Sequence, residues 1–298
     1  MLTGATGFVG HHTLIALVQA GHDVHALTRR RGSDLPGVTW HECDLLVGCE
    51  VVDDVKPEVL VHLAWYAEHG KFWSSAENVR WVQASLALLR AFAAAGGRRA
   101  VMAGTCAEYE WGGEQDFNER DSPLAPQMLY GVCKDALRRI AGAYADETGL
   151  ELAWGRLFFL YGPQEAPERF VPSLVRSLLA GEPALMTNGE QRRDFLHVAD
   201  AGAAFVALAE SQVVGPVNVA SGKAVVLREL AQRIAQRVGG GELLQIGARP
   251  MPEGEPPALV ADIKRLRDEV GWSPEIGLED GLDSVIEWWR GQPDSGGP

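Results

Sequence analysis

At 298 residues the chain is long enough for one large α/β domain, or for a domain carrying a smaller lobe. Its 46% hydrophobic and 22% charged residues are the balance of a soluble globular protein, and no apolar run approaches the roughly 18 residues a membrane span needs. A net charge of -13 argues against a general nucleic-acid binder, which needs a basic face, yet leaves room for arginines lining one cleft for an anionic small ligand.

The N-terminus lacks the basic, apolar and small-residue succession of a signal peptide. The cysteines Cys43, Cys49, Cys106 and Cys133 form no CxxC pair, so reduced thiols in a cytoplasmic protein are expected. Only Met1, Leu2 and Thr3 precede a glycine-rich turn that normally follows a complete buried strand. That shortness suggests a natural start several residues upstream. A helix is expected over 8–20, stopped by Gly21, followed by a strand over 24–28. An alternating half-buried strand fits 38–43, and a further strand 59–65. The long alanine- and leucine-rich stretch 74–95 reads as a helix ending at Gly96-Gly97. A strand over 100–104, a helix over 129–147 and a strand over 152–161 follow.

This β-α-β rhythm predicts the α/β class: a Rossmann-type, doubly wound parallel sheet with a smaller C-terminal substrate-binding lobe. The dinucleotide-binding part is placed at 1–162 and the lobe at 163–290, with some return to the sheet. Lobe helices are expected over 171–180, 198–210, 227–238 and 281–290, and a disordered tail over 291–298.

Gly4-Ala-Thr6-Gly7-Phe8-Val9-Gly10 lies between the first strand and the first helix. Glycines there permit a tight turn, close approach of a pyrophosphate and close helix–sheet packing, while helix N–H groups and dipole hold the phosphates. The second strand ends at Thr28-Arg29-Arg30-Arg31 rather than at an acid that would bind an adenosine ribose. Guanidinium groups suit a 2′-phosphate, which favours NADP, with NAD as the alternative. Asp44, after the third strand, is either an adenine contact or a helix cap.

Tyr130 and Lys134 form a Tyr-x-x-x-Lys pair on one face of a helix. A free tyrosine, with pKa about 10, is a poor acid or base at neutral pH, and a neighbouring ammonium brings it toward the working range. Thr105, at a strand end, offers a hydroxyl to the reacting oxygen.

Together the segments 3–10, Thr105, Tyr130-x-x-x-Lys134, Arg156-Leu157-Phe158 and Tyr161-Gly162-Pro163 resemble the extended short-chain dehydrogenase/reductases. Within them the chain looks like the branch of the NAD-dependent epimerase/dehydratase family that modifies nucleotide sugars. The similarity extends to Ala261-Asp262 and Gly271-Trp272-Ser273-Pro274. The resemblance implies Thr105, Tyr130 and Lys134 as catalytic residues. It places Gly4, Gly7, Gly10, Asp44, Leu63, Ala64 and Asn78 at the cofactor, with Thr6, Phe8, Val9, Leu45, Trp65 and Leu157 beside them. Arg193, in Arg193-Asp194-Phe195-x-His197-Val198, matches an arginine that meets the nucleotide diphosphate, and Arg249 matches a second. Phe159 stands where the family often has asparagine, so one polar contact to the substrate is absent. The family also implies a homodimer paired through its two long helices.

Dehydratases of this branch carry Asp-Glu directly after the catalytic threonine, whereas here Cys106 and Ala107 follow it, which disfavours dehydration. Cys106 is also out of register with the acid–base cysteine of reductases that epimerise C3 and C5. Glu108 has no assigned role. Two chemistries remain: NADPH-dependent reduction of a nucleotide-linked 4-keto-6-deoxy sugar, which the arginines favour, and 4-epimerisation with retained NAD⁺. A non-catalytic NADP sensor is a third reading, disfavoured by the tyrosine–lysine pair. His11 and His12 read as surface or packing residues. A metal at His41, Glu42, Cys43 and Asp44 is disfavoured by the strand-like alternation there. Trp65, Tyr66, Trp73 and Trp81 are either substrate-stacking or core residues.

Overall fold

The computed structural model describes all residues except 31, 33, 34, 114, 115 and 293–298. Arg31, the third residue of the arginine run, and most of the expected disordered tail therefore lie outside the described residues.

The first half lays down β1 (Leu2–Thr3), α1 (Phe8–Gln19), β2 (Val24–Thr28), β3 (Val38–Glu42), α2 (Val51–Val55), β4 (Val59–His62), α3 (Glu77–Ala94), β5 (Arg99–Thr105), α4 (Leu129–Thr148) and β6 (Glu151–Leu157). The chain continues through β7 (Phe159–Tyr161), α5 (Phe170–Leu179), β8 (Ala184–Leu185), β9 (Arg192–His197), α6 (Val198–Glu210), β10 (Gly215–Val219) and β11 (Ala224–Val226). It ends with α7 (Leu227–Val238), β12 (Leu244–Gln245), β13 (Ala258–Leu259), α8 (Lys264–Asp268) and α9 (Leu278–Arg290).

Seven parallel strands form the main sheet in the order β10-β6-β5-β4-β1-β2-β3. Every residue of β5 is buried, as expected of a strand covered on both faces. Its side chains alternate: Val101 and Ala103 pack with Leu14, Leu17 and Phe205 of α1 and α6, while Ala100 and Met102 pack with Leu88, Phe92 and Leu137 of α3 and α4. The two-residue β1 lies inside this sheet between β4 and β2, and the Met1 ammonium donates to Val59 O at 2.7 Å. Burial pulls that ammonium down to about 6. After β1 the chain winds outward through β2 and β3, then crosses back to β4. The carboxyl ends of β1 and β4 thus flank the crevice where ligands bind in such sheets.

The sequence reads 152–161 as one strand; the structure divides it. Residues through Leu157 pair with β5 and β10, but Phe159–Tyr161 pairs with β9 in a second, four-stranded sheet. Phe158 makes the switch, its ring packed against Tyr109 and Phe117. The split aims Phe159 and Arg193 into one neighbourhood. The lobe core is built from α5, α7 and α9 around Val175, Ile234 and Val285. α6 and β10, although late in sequence, belong to the main sheet and its helical layer.

Candidate active site

The turn Gly4–Gly10 is shaped by steric necessity. Gly4 has φ +73°, and a Cβ there would lie 2.8 Å from Ala64 N. A Cβ on Gly10 would lie 1.9 Å from Gly4 O, so only glycine lets α1 start this close to β1. The helix has Gly7 at its N-cap, no side-chain cap and no acid in its first turn. Its leading N–H groups and positive dipole end therefore meet no side-chain acceptor at the crevice. A dinucleotide pyrophosphate fits that cradle, with Thr6, Phe8 and Val9 around it. Leu63 and Ala64 pack against Gly4, and Ala64 N donates to Thr3 Oγ1 at 3.2 Å.

Thr28 is buried at the end of β2, its Oγ1 donating to Arg30 O at 2.9 Å, while Arg29 and Arg30 are exposed. The register of β3 sets the exposed Glu42 beside Thr28, a carboxylate the sequence reading did not place there. Asp44 accepts from Leu46 N at 3.0 Å and so closes an Asx-type turn; Leu45 is buried behind it. Asn78, expected at the cofactor, is fully buried. It accepts from Trp65 Nε1 at 2.9 Å and donates to Phe72 O at 2.7 Å and Ser75 O at 2.9 Å, which fixes the segment leading from β4 into α3.

Thr105, Tyr130 and Lys134 come together where β5 ends against the start of α4. A Cβ on Gly131 would lie 2.3 Å from Ala107 O, so glycine here lets α4 press against the turn that carries Thr105. Lys134 is buried, donates to Ala103 O at 2.8 Å and sits 3.8 Å from the Trp65 ring centroid. Burial lowers its pKa to about 7, while the Glu108 charge pulls it back up. His62 behind it is pushed down to about 3, chiefly by burial and then by Lys134. Its ring bonds Thr3 Oγ1 at 2.7 Å and Ser85 Oγ at 2.8 Å. Tyr130 is raised by burial; a hydrogen bond with Thr105 acts in the opposite direction, as does Arg169. The rings of Phe72 and Trp73 stand edge-on to Tyr130, and its N–H donates to Trp73 O at 3.1 Å. Trp73 thus walls Tyr130, whereas Trp81 packs on Trp65. Leu157 ends β6 beside Thr105.

Arg193 is almost fully buried, ion-paired with Glu255, and stacks 5.4 Å over the Phe159 ring. Phe159 therefore supplies a flat apolar wall for the arginine in place of a polar contact. Neighbouring Asp194 is structural. It accepts from Ser221 N at 2.7 Å, Gly222 N at 2.9 Å and Ala261 N at 3.2 Å, which fastens three lobe segments. Arg249 stands exposed after β12, its backbone N–H donating to Met186 O at 3.1 Å. The structure thus brings Arg193 and Phe159 together and leaves Arg249 on the surface.

Glu108, without a role legible from the sequence motifs, has one in the structure. Thr105 caps the short 3-10 turn Cys106–Glu108, accepting from Ala107 N at 3.2 Å, while Glu108 reaches back to Thr105 N at 2.9 Å. The pattern Thr105-x-x-Glu108 is a capping box and was legible as one. Cys106 is buried, with its thiol pushed up to about 12 by burial, so it is not poised as an acid–base group. Among the described residues there is no group of His, Cys, Asp and Glu that could hold a metal ion, and no helix is long and apolar enough to cross a membrane.

Comparison with known proteins places the chain. Residues 1–220 match the model of the NAD dependent epimerase/dehydratase family. A UDP-glucuronic acid decarboxylase 1 from Xenopus tropicalis is 26% identical over 97% of this chain and 72% of its own length. A CDP-abequose synthase from Salmonella typhimurium is 26% identical over 96% of this chain and 97% of its own. The solved structure of MoeE5 in complex with UDP-glucuronic acid and NAD superposes with a TM-score of 0.84 and 30% identity, covering 97% of this chain and 98% of that one. The glycine cradle, the threonine–tyrosine–lysine cluster and these matches agree: the chain belongs to the NAD dependent epimerase/dehydratase family, and is an enzyme of the extended short-chain dehydrogenase/reductase type.

Proposed function

We propose that the enzyme reduces a nucleotide-activated keto sugar, of the 4-keto-6-deoxyhexose class, with NADPH. The observation that carries this reading is the limited chemistry available around Thr105. Tyr130 and Thr105 can bond a reacting oxygen, but Cys106 and Ala107 supply no carboxylate, and the Glu108 carboxylate is fully buried among internal donors. A bound nicotinamide gives or takes the hydride; the protein need only hold the sugar and move one proton. Burial keeps the Tyr130 phenol protonated at neutral pH, which suits donation to an alkoxide forming on the sugar. Thr105 shares the reacting oxygen. Lys134, one helical turn on from Tyr130 in α4, stabilises negative charge there as the proton leaves. Arg193 holds the diphosphate.

Thr28, Arg29 and Arg30 favour NADP. Glu42 beside Thr28 and the NAD-bound relative favour the second reading, a 4-epimerase that retains NAD⁺. Pairing into a homodimer through α3 and α4 is supported by the exposed Val79, Val132 and Ile140, and the four free cysteines suit a reducing cytoplasm.

To choose between the readings, the purified protein is denatured and any released nucleotide identified by mass, alongside binding titrations. An empty protein that binds NADPH more tightly than NADH is expected. Tightly held NAD⁺ would overturn the reductive reading. Arg193→Met should raise KM for the nucleotide sugar by about 10- to 100-fold, the loss of a charge-assisted contact, with the dinucleotide Kd unchanged. An unchanged KM would remove Arg193 from the diphosphate site.

A further inference from the structure

We infer that Glu108 is a positioning residue for the reaction: its buried carboxylate fixes the backbone of Thr105 and sets a fixed negative charge behind the turn that faces Tyr130 and Lys134. The inference rests on the reading of Thr105, Tyr130 and Lys134 as the reacting set, and its test separates the two.

Glu108 is fully buried, and its carboxylate is wrapped by donors from three elements. Oε1 accepts from Thr105 N at 2.9 Å and from Trp154 Nε1 at 2.9 Å. Oε2 accepts from Arg156 Nε at 2.8 Å, with Arg138 Nε 3.6 Å away. A Cβ on Gly104 would lie 2.1 Å from Trp154 Nε1 and 2.6 Å from Glu108 Oε1, so the strand itself makes room for this carboxylate. Arg156 passes the linkage on: its Nη1 donates to Tyr109 OH at 2.9 Å, and Tyr109 OH donates to Asn218 Oδ1 at 2.8 Å on β10. The turn carrying the catalytic hydroxyl is thereby tied across β5, β6 and β10. An uncompensated buried charge would be costly, and here Arg156 and Arg138 answer it.

Charged and titratable groups facing this cluster come from each neighbouring element. Tyr130, Lys134 and Arg138 come from α4, Cys106 from the turn itself, His62 from β4, Arg156 from β6 and Arg169 from the start of α5. Of these the Glu108 carboxylate is the one that raises Lys134. It also raises Tyr130, so removing its charge lowers both groups and makes each lose its proton at lower pH.

The experiment is the pH profile of kcat/KM in the reductive direction for Glu108→Gln, with Glu108→Asp and Tyr130→Phe measured beside it. Glu108→Gln should move the alkaline limb down by roughly one pH unit. Glu108→Asp should return the limb to its original place yet lower kcat about tenfold, because the shorter arm cannot reach Thr105 and Arg156 together. A uniform fall in kcat with an unmoved limb means Glu108 is structural only, and overturns the inference. If Glu108→Gln does not fold, Glu108→Asp carries the test: kcat should still fall about tenfold, and an unchanged kcat overturns the inference. Should Tyr130→Phe match the wild type, the assignment of the site itself fails, an outcome distinct from either result at Glu108.

Discussion

Tyr130→Phe is expected to reduce turnover by about 100- to 10,000-fold, the range ascribed to a positioned general acid. The substitution removes one hydroxyl and little else. The ring contacts with Phe72 and Trp73 remain, as does the backbone bond to Trp73 O that fixes the start of α4. Dinucleotide affinity and thermal stability should therefore stay near wild type, and single-turnover kinetics should place the loss in the chemical step. A variant that lost affinity in proportion to turnover would show Tyr130 to be a binding group instead.

The second large effect concerns Lys134, where function and stability pull apart. Burial lowers its pKa to about 7 from an ordinary value near 10.5. Between those two values the unfolded chain holds a proton that the folded protein has released, so stability rises as pH increases through that window. Lys134→Met abolishes this dependence. At pH 7 the variant should be more stable than wild type by at most about 4 kcal/mol, reduced by the lost bond to Ala103 O. Turnover should nonetheless fall by about 100-fold or more, since the Thr105 hydrogen bond and the Arg169 charge would then be left to stabilise the phenolate alone. Chemical denaturation at pH 7 and pH 10 checks the first part: the gap between variant and wild type should close at the higher pH. A variant less stable at pH 7 would show that Lys134 is not strained by burial.

Much of this site was legible because its chemistry is local in sequence. The glycine spacing of Gly4, Gly7 and Gly10 and the four-residue step from Tyr130 to Lys134 are set by a turn and a helix, whose geometry is periodic. Long-range pairing was harder to read. The apolar run 152–161 looks continuous, and only the pairing of Phe159 with Phe195 shows that it serves two sheets. Asn78 is placed at the cofactor by the family resemblance, not by any local pattern. Its partners Trp65, Phe72 and Ser75 become neighbours only when the loop folds back. Glu42 is similar: its place beside Thr28 depends on the β2–β3 register, which the intervening loop does not disclose. Arg193 was found from a motif, whereas its ion pair with Glu255 spans a separation no local pattern encodes.

The most direct test uses NADPH carrying deuterium at the transferable position of the nicotinamide, with a nucleotide-linked 4-keto-6-deoxy sugar. The account predicts stoichiometric oxidation of NADPH and one deuterium on the reduced ring carbon of the product, both lost in Tyr130→Phe. A 4-epimer formed from an ordinary nucleotide sugar without added cofactor, with no deuterium gained and no NADPH consumed, would contradict it.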